Sequence, residues 1–253
     1  MNTKLTKLSL LLVLFSAMGC TPKKTEKTVR IPEKTIVKKV SVQPEVKPEI
    51  KTENLIIESF SDSTQIGTKG NFKVTVDQLR NNDSTYVVVH LFEKRKNKWS
   101  SKQKLEYLKD GITNIDPKLE DFNNDGFKDL TFQSSVAARG ANEIRKLLVF
   151  DPVKKQFILM KNAENYPNLQ YNKLLNCVDA WMVYGGSSTV FLKIEKDSLR
   201  EFAGVSLDDN QREIYVVDKK GNHKTIKKET VPDLAVYIRY KNYHPLIENS
   251  HSD

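Results

Sequence analysis

Cysteine is nearly absent from this 253-residue chain. Two residues, Cys20 and Cys177, exclude a disulfide-dense scaffold and a Cys-rich zinc module. Histidine is equally sparse. His90, His223, His244 and His251 lie scattered, and no G-x-S-x-G, H-E-x-x-H or P-loop pattern occurs. Glu143, Asp151 and Asp179 are candidates for a carboxylate pair, but nothing in the sequence brings them together, so capping or solvated roles are the default. The chain therefore reads as a non-enzyme, with no catalytic residues assigned. Long apolar runs are missing too. Leu8–Met18 is mostly apolar but falls short of the ~20 residues that span a bilayer. Hydrophobic residues at 38% and charged residues at 29% exclude a polytopic membrane protein. Acidic residues are outnumbered, 32 against 41 Lys+Arg, and the net charge of +9 invites a nucleic-acid or membrane-surface reading.

The first residues look like a targeting segment. Lys4 and Lys7 form a positive start, the apolar stretch follows, and Ser16-Ala17-Met18-Gly19-Cys20 closes it. A small residue just before a Cys at this place resembles the bacterial lipoprotein pattern. The resemblance implies cleavage of residues 1–19 and lipidation of Cys20, with several acyl chains giving stable anchoring. Thr21 rather than Asp after the Cys favours the outer membrane, and the non-acidic Pro22-Lys23-Lys24 favours its periplasmic face. With Cys20 acylated, Cys177 has no partner in the chain and reads as a buried small hydrophobe.

Residues 20–52 hold the lipidated Cys and a linker. Pro22, Pro32, Pro44 and Pro48 exclude a continuous helix, and the segment has no Gly or aromatic residue. Such composition buries too little apolar surface to offset ordering entropy, so it reads as a disordered, extended tether with a reach on the order of 100 Å at ~3.1 Å per residue. Its nine Lys+Arg and four Glu carry most of the basic balance, since Lys4 and Lys7 belong to the leader. Residues 53–253 are left with a net charge of only +2. A nucleic-acid partner is not supported.

Residues 53–253 read as one β-rich domain. Asn71–Asp77 alternates Phe72, Val74 and Val76, and Thr85–Phe92 is a continuous run expected to be a central strand buried on both faces. Three hairpins are expected: Lys146–Asp151 with Gln156–Met160, Val190–Glu195 with Leu199–Ala203, and Glu213–Asp218 with His223–Lys227. Ala180–Tyr184 runs into Gly185-Gly186. Pro232–Tyr243 fits a strand or a short helix. The fold class is all-β, an antiparallel meander; a closed meander, a sandwich and a small propeller-like arrangement all fit.

The sharpest motif spans 121–129. Asp121, Asn123, Asp125 and Asp129 stand at positions 1, 3, 5 and 9 with Gly126 at 6, and the Phe127 carbonyl is aimed at the same point. Oxygen donors at this spacing suit Ca²⁺. Position 12 is Phe132 and the flanks look like strands, so the loop is not an EF-hand. It resembles the D-x-N-x-D-G-x-x-D loops of FG-GAP and related β-propeller repeats, and the ion is expected to be structural.

From the loop the chain continues through Ser134–Asn142, Leu147–Pro152 and Lys155–Phe157 to Trp181–Tyr184 and Gly185-Gly186. This order resembles a family of periplasmic calcium-binding lipoproteins with a propeller-like β domain. Its best understood members inhibit lysozyme-like peptidoglycan hydrolases and act as immunity proteins. The resemblance covers roughly residues 110–205, with weaker support to 228. It implies a non-catalytic protein-binding module whose contact residues are Arg139, Gly140, Gly185 and Gly186, with a peptidoglycan hydrolase or another envelope protein as partner. The other reading is an envelope lipoprotein that binds glycan or a membrane complex without inhibition.

Overall fold

The computed structural model describes residues 54–82, 84–232, 237–244 and 248–249, all within the unit Ile50–Asp253. The expected leader, the lipidated Cys20 and the tether lie outside the described residues.

The architecture is all-β. Sheet 1 is formed by β1 (Leu55–Asp62), β2 (Phe72–Asn81), β3 (Ser84–Arg95) and β4 (Lys98–Lys109). Sheet 2 is formed by β5 (Lys118–Glu120), β6 (Asp129–Ala137), β7 (Asn142–Asp151) and β8 (Gln156–Leu159). Sheet 3 has six strands: β9 (Gln170–Asn172), β10 (Cys177–Val183), β11 (Ser187–Glu195), β12 (Ser198–Asp208), β13 (Gln211–Val217) and β14 (His223–Thr230). Within each of these sheets every strand pairs antiparallel with its neighbour in sequence, as tight turns dictate. A short ladder joins β15 (Arg239–Tyr240) to β16 (Glu248–Asn249).

Alternation decides how the sheets stack. Leu148 and Phe150 of β7 point into a core shared with sheet 1, where they meet Val74, Val76, Val89 and Leu91. Leu147 and Val149 point the other way, onto Val178, Ala180, Val190 and Leu192 of sheet 3. Sheet 2 is thus covered on both faces, which explains the unbroken apolar run of β7. Within sheet 3, Phe191 turns away from that core and packs with Val205, Leu207 and Tyr240, so the C-terminal segment covers the far face. Truncating such a residue, Leu148 for instance, costs about 2–5 kcal/mol.

Three side-chain amides bridge the layers. Gln103 of β4 donates to the Phe157 carbonyl (2.9 Å) and accepts from its N–H (2.8 Å). Asn162 does the same for Leu199 (2.7 and 2.8 Å). Asn142 does so for Val183 (2.8 and 2.9 Å). An amide carries one acceptor and a donor pair, so it mimics a strand partner where no strand runs alongside.

One expectation changes. Strand β3 is central, but only one of its faces enters the core. On the other, Val88 is shielded by its neighbours, but Tyr86, His90 and Phe92 are half-exposed, because no layer lies over that side of sheet 1 among the described residues. Around Pro232–Tyr243 the described residues form the two-residue strand β15 and no helix.

Candidate metal loop and hairpin-tip surface

The acidic loop joins β5 to β6. Asn124 (φ 58) and Gly126 (φ 88) take left-handed backbone conformations that coil the chain tightly. Asp121 accepts from the N–H groups of Asp125 (3.2 Å) and Gly126 (2.9 Å). Asn123 Oδ1 accepts from Asp125 N–H (3.1 Å), and Asp125 accepts from Phe127 N–H (2.8 Å) and from the Asn123 amide (2.9 Å). The Phe127 ring lies inward, 5.9 Å from Phe150.

Asp129 is placed differently from a loop carboxylate. It is fully buried, and its two oxygens accept from Phe122 N–H (2.8 Å) and Phe150 N–H (2.8 Å), so it ties the loop to β7. Burial pushes its pKa up to about 7; the two N–H donors oppose this, and the charges of Asp125 and Asp121 add to it. Among the described residues no Lys or Arg pairs with Asp121, Asp125 or Asp129, and no group of three or more His, Cys, Asp and Glu side chains converges as a metal cage. The donor chemistry nonetheless fits a hard divalent cation. A carboxylate has about four acceptor sites, and each of these three uses two. Asp121, Asn123 and Asp125 could hold such an ion with oxygens that remain available, and Asp129 stands behind them.

A cavity of about 270 Å³ beside the loop is lined by Phe122, Asn123, Asn176, Cys177 and Lys193. Cys177 is free and buried, and burial pushes its thiol up to about 12. Such a thiol is a poor nucleophile.

The four expected contact residues sit at two hairpin tips on the opposite end of the sheets. Ala138 (φ 49), Arg139 (φ 57) and Gly140 (φ 96) make three consecutive left-handed residues at the β6–β7 tip, with Arg139 exposed. The β10–β11 tip holds Tyr184, Gly185 and Gly186. The Asn142–Val183 bridge draws the tips together. Asn168 adds to it, donating to the Ala141 (2.9 Å) and Trp181 (2.8 Å) carbonyls and accepting from Glu143 N–H (3.0 Å). The structure therefore brings Arg139 and Gly140 to the same edge as Gly185 and Gly186.

The two glycines of the second tip differ. Gly185 is exposed and open. Gly186 is buried, and a Cβ there would lie 2.0 Å from the Leu207 carbonyl oxygen. Tyr184, 47% exposed, stands at the tip and was not singled out from sequence. Arg145 was missed as well. It is buried behind the first tip, bonded to Asp116 (3.0 Å), Thr131 Oγ1 (3.1 Å) and Glu143.

The three carboxylates considered for catalysis stay apart in role. Glu143 pairs with Arg145, Asp151 caps its turn through Val153 and Lys154 N–H (both 2.9 Å), and buried Asp179 pairs with Arg239.

No family model and no curated protein matches the sequence. A solved structure described as that of a Xanthomonas Type IV Secretion System related protein is similar at a TM-score of 0.43 and 13% identity, over 67% of this chain and 93% of that one.

Proposed function

We propose that this chain is a lipoprotein, held by Cys20 at the periplasmic face of the outer membrane, whose β domain is a non-catalytic protein-binding module that inhibits a lysozyme-like peptidoglycan hydrolase. The observation that carries the reading is the Asn142–Val183 bridge, which braces the two tips that carry Arg139 and Tyr184 on one edge. A braced tip loses little conformational freedom on binding, so more of each contact survives as affinity. Arg139 offers a planar guanidinium that can meet the carboxylates of a hydrolase cleft in bidentate fashion. Tyr184 offers a ring of the type that anchors interfaces. Asp121, Asn123 and Asp125 would hold Ca²⁺ at the other end. That ion would neutralise the clustered carboxylates and stiffen the β5–β6 connection. Asp129 itself bonds the loop to β7 in either case.

The test uses the mature chain from Cys20 in detergent, against a panel of lysozymes and periplasmic lytic enzymes. Inhibition that Arg139→Glu and Tyr184→Ala each weaken supports the reading. Absence of inhibition, together with failure to co-purify any hydrolase from the envelope, would sink it.

A further inference from the structure

A second surface lies on sheet 3, away from the hairpin tips. The cross-strand row Ala180–Val190–Gly204–Tyr215–Thr225 starts in the core and leaves it at β13. At Gly204 a Cβ would lie 2.3 Å from the Tyr215 hydroxyl, so the tyrosine side chain crosses β12 where only glycine leaves room. Tyr215 donates to Glu201 Oε1 (2.8 Å), and His223 stacks on its ring at 4.8 Å and 19°. Next to this stack is a cleft of about 520 Å³, lined by Tyr166, Ser198, Arg200, Glu201, Lys220 and His223 among others. That volume falls within the range of small-molecule sites.

The lining chemistry selects a ligand class. Arg200 is held by Glu195 (2.7 Å), and Asp218 is taken up by the N–H groups of its own turn (2.7 and 2.9 Å). Glu201 keeps acceptor capacity after accepting the Tyr215 hydrogen bond; Ser198, whose own proton goes to the Glu195 carbonyl (3.2 Å), adds acceptor sites, and Lys220 supplies donors. Acidic and basic groups both line the cleft, so neither an anion nor a cation is favoured by sign. Aromatic faces next to mixed donors and acceptors suit a molecule with apolar C–H faces and hydroxyl edges. We propose that this cleft binds an uncharged oligosaccharide, with a sugar ring against Tyr166 and the His223–Tyr215 stack and its hydroxyls on Glu201 and Arg200. The site is separate from the hairpin tips and does not depend on hydrolase inhibition.

The experiment titrates the mature chain with chitohexaose and cellohexaose, read by calorimetry and by shifts of amide resonances. At least one probe should bind saturably. Tyr166→Ala and Glu201→Gln should each weaken binding about fivefold or more, as expected for loss of one stacking or polar contact. Glu201→Gln should do so without lowering Tm, whereas Tyr166 also packs against the core and its alanine variant loses some stability. Arg139→Glu should leave binding unchanged. Tyr166→Phe keeps the ring and should retain binding, which guards against a folding defect in the alanine variant. No saturable binding to either probe, or binding that Tyr166→Ala and Glu201→Gln leave intact, overturns the proposal. So does binding lost in Arg139→Glu, which would place the glycan at the tips.

Discussion

Asn142 grips Val183 by both main-chain polar groups: its amide donates to the carbonyl at 2.8 Å and its oxygen accepts from the N–H at 2.9 Å. One residue opens β7 and the other ends β10, so the contact fixes the spacing of two sheets at the point where both reverse direction. Asn162 with Leu199 and Gln103 with Phe157 repeat the device between other strands. The layers are thereby registered by polar contacts as well as by apolar packing, which is non-directional.

Asn142→Ala removes both bonds at once. It should lower stability by about 1–3 kcal/mol, because a main-chain donor and an acceptor lose their partner in a half-buried setting. Asn142→Asp keeps the acceptor only and should fall between wild type and alanine. Urea denaturation of the mature chain measures both. If the proposed function holds, Asn142→Ala should also weaken hydrolase inhibition while leaving Arg139 and Tyr184 in place. Unchanged stability in both variants would mean the bridge is not a brace.

The paired glycines separate space from conformation. Gly186→Ala would set a methyl 2.0 Å from the Leu207 carbonyl oxygen, and neither backbone can yield cheaply within a six-stranded sheet. A loss of about 1–3 kcal/mol is expected, as for other overpacked sites. Gly185→Ala meets nothing within 4 Å and should stay within about 0.5 kcal/mol of wild type. Thermal denaturation of the two variants side by side checks the contrast; equal effects would refute it.

Much of the fold was legible because burial imprints a period. Phe72, Val74 and Val76 alternate because β2 has one core face, and the Leu147–Phe150 run is continuous because β7 has two. Strand β4 was missed: its one inward file, Gln103, Leu105 and Tyr107, is diluted by the lysines of an exposed edge. Strand β1 was missed because its burial is slight throughout. At the loop, spacing put Asp121, Asn123 and Asp125 on one tight turn, which the structure forms, but gave no sign of the turn of Asp129 toward Phe150, which lies 21 residues away and comes alongside only after β6 and β7 pair. Likewise no local signal told Gly186 from Gly185, since Leu207 is a neighbour only in the folded sheet.

Cys177 gives a pH-dependent readout. Its folded-state pKa is raised from 9.0 to about 12 by burial, with the Asp179 charge adding to the effect. A raised acid pKa favours the protonated form in the folded state. The contribution to stability is fully present below pH 9 and is lost as pH rises through about 12. The folded chain with Cys20 acylated, or with Cys20→Ser, should therefore react slowly with a thiol reagent at pH 8, and quickly once denatured in urea. Fast labelling of the folded protein would show that the cavity beside the acidic loop admits the reagent and that the thiol ionises there.

Metal removal tests the acidic loop directly. The pKa of Asp129 is raised by burial first and further by the nearby charges of Asp125 and Asp121, and none of the three has a Lys or Arg partner among the described residues. A divalent cation would offset that repulsion in the folded state only. At a free Ca²⁺ concentration of about 100 times Kd the gain is about 2.7 kcal/mol. For a domain of this size that raises Tm by roughly 5–10 °C. EDTA should reverse the shift. Asp121→Asn and Asp125→Asn should each shrink it, and Mg²⁺ should give a smaller effect because it demands a stricter octahedral shell. Asp129→Asn should behave differently. It disturbs the bonds to Phe122 and Phe150, so it should destabilise the chain whether or not Ca²⁺ is present. A Tm indifferent to Ca²⁺ and EDTA across wild type and variants would remove the metal from the account and leave the loop as an Asx-rich turn held by Asp129.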